Sequence, residues 1–135
     1  MRELKFRAWL NDAKKWIDVN GLEVWRDGQA SPSNQTYVFL ITGKLIHPID
    51  LPETTEIQQY TGIKDVNGKE IYEGDIVEMD NSLMVVEYSE EFGAFVAEVY
   101  KVDEEETEQS YHYYADEYRY CKVIGNIFEN KELIL

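Results

Sequence analysis

Cysteine is nearly absent from this chain of 135 residues, and long runs of apolar residues are absent altogether. Cys121 is the only cysteine, which excludes an intrachain disulfide and favours a reducing compartment. No segment approaches the roughly 18 apolar residues of a membrane span, and the charged start lacks a signal-peptide pattern. We therefore expect a cytoplasmic protein that folds without disulfides and has no membrane partner.

Basic residues are scarce in the second half of the chain. Residues 1–69 hold nine acidic and nine basic side chains, whereas residues 70–135 hold eighteen acidic and four basic ones. The whole net charge of −14 therefore belongs to the second half. Such a surface repels phosphate backbones, so we expect no direct binding of nucleic acid. Solubility alone is the simpler explanation of this excess.

The short motifs that identify common catalytic and cofactor sites are also missing. The sequence contains no phosphate-binding loop, no dinucleotide fingerprint, no H-E-x-x-H and no C-x-x-C. Asp65 to Gly68 superficially resembles a calcium loop, but its glycine comes too early. The acidic run Asp103–Glu106 with Glu108 is typical of a solvated loop rather than a metal site. We expect no cofactor, no metal and no enzymatic activity.

Two small groups of reactive side chains leave an alternative open. Glu73 and Asp75 stand two residues apart and, with His112, would suit a small metal-dependent hydrolase. The intervening glycine favours a chain corner instead, in which Asp75 accepts turn amides. Cys121 and either His47 or His112 would suit a nucleophile and its base, but a buried structural cysteine is the commoner case.

What the sequence does contain is a pattern of short strands. Apolar residues make up 44% and aromatic residues 13%, and apolar positions alternate from Leu4 to Leu10. We predict a single all-β domain over residues 1–135, with short antiparallel strands, a partly barrel-like shape and minor short helices. The segment from His47 to Tyr60 is predicted to be a connector with a weak helical turn. Other predicted strands are Thr36–Ile41, Ile76–Met79, Leu83–Tyr88, Ala94–Tyr100 and Tyr118–Phe128.

Turn residues separate these strands. Asn67-Gly68 is a strong signal for a type I′ hairpin turn, in which both central residues need positive φ. Glu73 to Asp75 predicts a second corner, and Asn130 is a candidate cap for a final helical turn. The predicted structural turn residues are Gly62, Asn67, Gly68, Gly74 and Asp75.

Five tyrosines cluster in the acidic second half, and they are the candidate site for protein contact. Tyrosine is enriched in interfaces because its ring is large and stiff and its tip is polar. Ordinary strand-face tyrosines would give the same pattern, so the alternative stays open. The candidate contact residues are Tyr111, Tyr113, Tyr114, Tyr118 and Tyr120.

Three segments, taken in order, resemble the YopX family of small proteins from phages and prophages of Gram-positive bacteria. They are KFRAWLNDAKKWIDV, QYTGIKDVNGKEIYEGDIVE and CKVIGNIFENKELI. The resemblance implies a β-rich domain that self-associates and a phage or prophage gene. It implies no agreed activity, catalytic residue or cofactor.

Together these observations predict a non-enzymatic phage accessory protein that acts by protein–protein contact or self-assembly. Its expected partners are further copies of itself, as a homo-oligomer, and a basic host or phage protein. An acidic mimic of nucleic acid that occupies a host DNA-binding protein is the first alternative. The small metal-dependent hydrolase is the second.

Overall fold

The computed structural model describes residues 3–19, 21–26, 36–41, 55–101 and 112–135. These residues form eleven strands and two 3-10 helices, Ala115–Tyr120 and Lys131–Leu133, so the predicted all-β fold is confirmed. One sheet is curled like half of a barrel. No helix in the described ranges has the length and apolarity to cross a bilayer. The strands are β1 Phe6–Leu10, β2 Lys15–Val19, β3 Gly21–Arg26, β4 Thr36–Ile41, β5 Thr55–Lys64, β6 Glu70–Tyr72, β7 Asp75–Met79, β8 Ser82–Ser89, β9 Ala94–Lys101, β10 His112–Tyr114 and β11 Lys122–Asn126.

The chain divides into two compact units, a smaller unit of Lys5–Gln58 and a larger unit of Met1–Leu4 and Gln59–Leu135. In the smaller unit, β1 and β2 form an N-terminal hairpin, and β3 pairs antiparallel with β4. Arg7 donates two hydrogen bonds to Oε1 of Gln58 and stacks 4.2 Å from the centre of the Trp16 ring. A single domain over residues 1–135 stays a prediction.

The larger unit contains a five-stranded antiparallel sheet in the order β10-β9-β8-β7-β11. The register places Met84 opposite Val99 and Val86 opposite Ala97, so these residues share one face. That face packs into a core in which each large apolar side chain contributes about 1.5–3 kcal/mol. The core residues are Ile71, Val77, Met84, Val86, Phe95, Ala97, Tyr118, Cys121 and Val123.

The type I′ turn is not where the sequence predicts it. Asp80 and Asn81 form the two-residue loop between β7 and β8, and both have positive φ, 48° and 63°. Among the described non-glycine residues, Lys14 is the only other one at positive φ, so Asn67 lacks the predicted conformation. The β5–β6 connection is a longer loop in which only Gly68 has positive φ, at 81°.

Two other local predictions need correction. The predicted connector and helical turn end in a ten-residue strand, β5, which begins at Thr55; residues 42–54 lie outside the described ranges. The predicted final strand from Tyr118 to Phe128 is shorter, because Tyr118 to Tyr120 belong to a 3-10 helix and only Lys122–Asn126 pair with β7. In both places the partner strand, rather than local composition, sets the boundaries.

Candidate functional site

The stretch from Asp65 to Lys69 is a closed loop built around one carboxylate. Oδ1 of Asp65 accepts the backbone N–H groups of Asn67 and Lys69, each at 2.8 Å. The backbone adds two further bonds, from Asp65 N to the Lys69 carbonyl and from Gly68 N to the Asp65 carbonyl. Aspartate is suited to this role because its short side chain reaches amides two residues ahead.

The second oxygen of Asp65 joins this loop to β11. Oδ2 accepts the N–H of Val123 at 2.9 Å, and Val66 N donates to the Cys121 carbonyl at 2.9 Å. Burial by itself would raise the pKa of Asp65, but the N–H groups of Val123, Lys69 and Asn67 stabilise the carboxylate and lower it. Asp65 is therefore a structural anion that connects two segments 58 residues apart.

The corner at Glu73 to Asp75 is also architectural. Asp75 is buried, with 2% of its surface exposed, and its Oδ2 accepts the N–H of Tyr72 at 2.8 Å. Oε2 of Glu73 accepts the N–H of Gln59 at 2.8 Å. Gly74 has a φ of 79°. Its N–H donates a hydrogen bond to the Val86 carbonyl, and its carbonyl accepts one from the N–H of Ile127. Gly62, predicted to be a turn residue, has positive φ, 87°, but lies inside β5, where the register with β6 shifts.

The five candidate tyrosines do not form one surface. Tyr118 has no exposed area and lies in the core, so it cannot contact a partner. Tyr120, only two residues later, is 69% exposed. The backbones of Tyr113 and Tyr114 lie opposite Ala97 and Val96 in β10. Their side chains, like the whole of Tyr111, lie outside the described part of the chain.

Among the described residues three tyrosines are about half exposed or more, and two of them lie toward one end of the five-stranded sheet. Register places Lys122 opposite Glu78, and Leu83 opposite Lys101. Tyr120, just before β11, and Tyr100, near the end of β9, therefore both lie toward the end formed by the Asp80-Asn81 turn. We call this the tyrosine end. Its described surface groups include Glu78, Asp80, Glu98, Tyr100 and Tyr120, together with the exposed basic residues Arg119 and Lys122.

Tyr100 is a neutral ring beside negative charge at the tyrosine end. Its side chain is 48% exposed. Partial burial, together with the charges of Glu98 and Glu87, raises its pKa above the usual value. The ring therefore sits beside carboxylates and keeps its proton at neutral pH. An aromatic face next to negative charge is a suitable contact for the guanidinium or ammonium groups of another protein.

Cys121 has the environment of an inert core thiol. It is fully buried, and its Sγ lies 3.9 Å from both Met79 Sδ and the Glu117 carbonyl oxygen. Burial, followed by the charges of Glu117, Asp80 and Asp65, raises its pKa to about 11. A thiol held in this neutral form is a poor nucleophile.

The hydrolase alternative stays a prediction. The side chains of Glu73 and Asp75 accept strand amides, from Gln59 in β5 and Tyr72 in β6. The side chain of His112 and all of His47 lie outside the described part. In the ranges that the structure describes, no group of three or more His, Cys, Asp or Glu side chains is arranged to hold a metal ion. The acidic run Asp103–Glu106 with Glu108 lies outside those ranges.

Comparison with known proteins identifies the family. The family model described as "YopX protein" matches residues 5–135. This chain belongs to the YopX family. A crystal structure of protein EF1440 from Enterococcus faecalis has the same fold as this YopX chain, with a TM-score of 0.56 and 23% identity. The match covers 100% of both chains. No curated protein matches this YopX chain.

The loop contacts of Asp65 and the position of Tyr100 in this YopX chain were not predicted from the sequence. The role of Asp65 could have been predicted, because an aspartate at the start of a turn commonly accepts the backbone N–H groups that follow it. The position of Tyr100 could not, since a tyrosine near a strand end is equally common in cores and on surfaces. Only the pairing of β7, β8, β9 and β11 places Tyr100 at the same end of the sheet as Tyr120.

Proposed function

We propose that this YopX chain acts by protein–protein contact and that the tyrosine end is the contact surface for a basic partner protein. The observation that carries the proposal is the sheet register, which brings Tyr100 and Tyr120 to one end of the sheet. Both rings are about half exposed or more, and the charge of Glu98 acts on Tyr100. Large rings with adjacent charge are typical of interface hot spots.

Charge supports a basic partner rather than a neutral one. Residues 70–135 contain eighteen acidic and four basic side chains, so the part of the chain that holds the tyrosine end is strongly acidic as a whole, although Arg119 and Lys122 lie at that end. Complementary charge accelerates encounter and disfavours acidic partners. The phage or prophage origin, the self-association and the cytoplasmic location that the sequence implies are parts of the same proposal.

The test is affinity capture from a bacterial lysate with two double variants. Tyr100→Ser with Tyr120→Ser removes the tyrosine end, and Tyr88→Ser with Phe92→Ser is the matched control. Tyr88 and Phe92 are also about half exposed, but they lie at the opposite end of the sheet. We expect the first variant to lose at least about tenfold in recovery of the partner, as hot-spot truncation does, and the control to keep it.

Salt gives the second arm of the test. Raising NaCl from about 0.05 M to about 0.3 M should weaken the wild-type capture steeply, because exposed charges are then screened. The proposal is wrong if no protein is recovered in a manner that depends on Tyr100 and Tyr120. It is also wrong if the recovered protein is acidic and its capture is insensitive to salt.

The acidic excess also favours a second candidate function, mimicry of nucleic acid. Carboxylates on a β surface can replace phosphates for a DNA-binding protein. In that case the captured partner binds DNA, and an added DNA duplex displaces it from this chain in proportion to DNA concentration. A partner that binds DNA and this chain simultaneously would exclude mimicry and leave simple protein contact.

A further inference from the structure

Strand β11 forms one edge of the five-stranded sheet. An edge strand normally presents unpaired N–H and C=O groups, to which a strand of a second molecule can bind. In an antiparallel pair these groups alternate, so that every second residue faces its partner strand and the others face outward. In β11 the outward groups are the ones that would accept another chain.

The first outward groups of β11 are occupied by the loop between β5 and β6. The Cys121 carbonyl accepts the N–H of Val66 at 2.9 Å. Two residues later, the N–H of Val123 donates to Oδ2 of Asp65 at 2.9 Å. Oδ1 of Asp65 accepts the N–H groups of Asn67 and Lys69, so these loop bonds orient the carboxylate whose Oδ2 binds β11.

The later outward groups are occupied by Asn130. The register of β11 shifts between Val123 and Gly125, and beyond this shift the Asn126 N–H donates to Oδ1 of Asn130 at 3.2 Å. The Asn130 N–H in turn donates to the Asn126 carbonyl at 2.9 Å. This close return requires glycine at position 125, since a Cβ there would lie 2.5 Å from Oδ1 of Asn130.

We propose that Asp65 and Asn130 close the β11 edge against pairing with a strand from a second copy of this chain. Each supplies a side-chain oxygen to an outward N–H that a second copy would otherwise bind. Association of native copies therefore does not use β11. Removal of the two acceptors converts this edge into a site for antiparallel pairing.

The first measurement uses the wild-type chain. Amide hydrogen exchange at Val123 and Asn126 should be slow, as for amides inside the sheet, although both point away from β7. Exchange at the rate of open-loop amides would overturn the proposal without any variant. In Asp65→Asn the amide nitrogen of the new side chain faces the Val123 N–H, so two donors meet, and exchange at Val123 should accelerate about tenfold or more.

The second measurement is mass by sedimentation over a range of protein concentrations. The double variant Asp65→Asn with Asn130→Ala should show a larger mass than wild type at equal concentration. Glu90→Gln is the matched control, because it also removes one carboxylate charge at an exposed turn residue and lies outside the tyrosine end, and its mass should equal that of wild type. If the double variant does not fold, Asn130→Ala alone tests the same edge at Asn126.

A third substitution identifies the surface on which copies meet. Val123→Pro removes the outward N–H, and an edge strand tolerates proline where its N–H faces outward. Added to the double variant, it should restore the wild-type mass. The proposal is overturned if the folded double variant keeps the wild-type mass while Val123 exchanges rapidly. It is overturned equally if the mass increases and Val123→Pro leaves that increase unchanged.

Discussion

Buried polar groups in the larger unit differ in whether they find partners. Asp65, Asp75 and Asn126 are almost completely buried, and each accepts backbone N–H groups of a loop or corner. Tyr118 is equally buried, yet its hydroxyl has no hydrogen-bond partner among the described residues. Burial raises the pKa of Tyr118 far above its usual value, so the hydroxyl stays neutral. A neutral, unpartnered hydroxyl in an apolar core lowers stability.

The first prediction is that Tyr118→Phe stabilises the fold. Removing the hydroxyl eliminates its desolvation cost and should raise the free energy of unfolding by about 1 kcal/mol. Urea denaturation measures the change. Tyr120→Phe is the control, because its ring is 69% exposed, and its effect should stay within about 0.5 kcal/mol. Loss of more than about 1 kcal/mol in Tyr118→Phe would mean that the hydroxyl has a favourable partner.

Among the elements, the hairpin loops decide the register of the sheet. The two-residue loop Asp80-Asn81 fixes Met79 opposite Ser82, and this register sets which residues of β7 and β8 face the core. The loop after β5 uses a different device, because the Asp65 carboxylate binds its amides. Asn67-Gly68 has the sequence of a type I′ turn, but this loop is held by the hydrogen bonds of the Asp65 carboxylate instead.

The second prediction is that an alanine substitution lowers the stability more in the Asp80-Asn81 loop than in the loop after β5. Asn81 has a φ of 63°, a conformation that costs most non-glycine residues about 1–2 kcal/mol. Asparagine tolerates it better than alanine, so Asn81→Ala should lower the free energy of unfolding by about 1 kcal/mol. Asn67→Ala, at a residue without positive φ, should change it by less than about 0.5 kcal/mol. Thermal or urea unfolding of both variants gives the comparison, and the reverse order would refute the assignment.

At the scale of the whole molecule, charge is the dominant feature. The net charge of −14 is large for 135 residues, and repulsion among the excess carboxylates opposes the compact state. The same excess produces repulsion between copies, which the proposed self-association has to overcome. The family model covers residues 5–135 and therefore includes most of both compact units.

The third prediction is that salt stabilises this protein. Raising NaCl from about 0.01 M to 0.1 M shortens the screening length from about 30 Å to 10 Å. Weaker repulsion in the folded state should increase Tm by a few degrees, which corresponds to about 1 kcal/mol for a chain of this size. Calorimetry measures the shift, and KCl should reproduce it at equal ionic strength. A Tm that is constant or falls would show that favourable ion pairs outweigh the repulsion.

The sequence by itself determined the class of fold and most of the strands. Thr36–Ile41 is β4 residue for residue, and β8 and β9 differ from their predicted bounds by one residue at each end or fewer. These segments are rich in β-branched and aromatic residues, whose preference for extended structure is local. The family resemblance was readable for the same reason, because its segments consist of such strands and the turns between them.

Only the tertiary structure decided the register, the sheet edges and the surface. β5 carries buried polar residues such as Gln58 and Thr61, so its pattern lacks the alternation that predicts a strand. Thr61 is satisfied by donating to the Ile71 carbonyl at 2.8 Å, a partner ten residues away. Asp65 meets Val123, and Tyr100 comes to the end that holds Tyr120, only after the strands have paired. The preference for extended structure is a property of each segment by itself. These contacts join different segments, so they form only when distant strands pair.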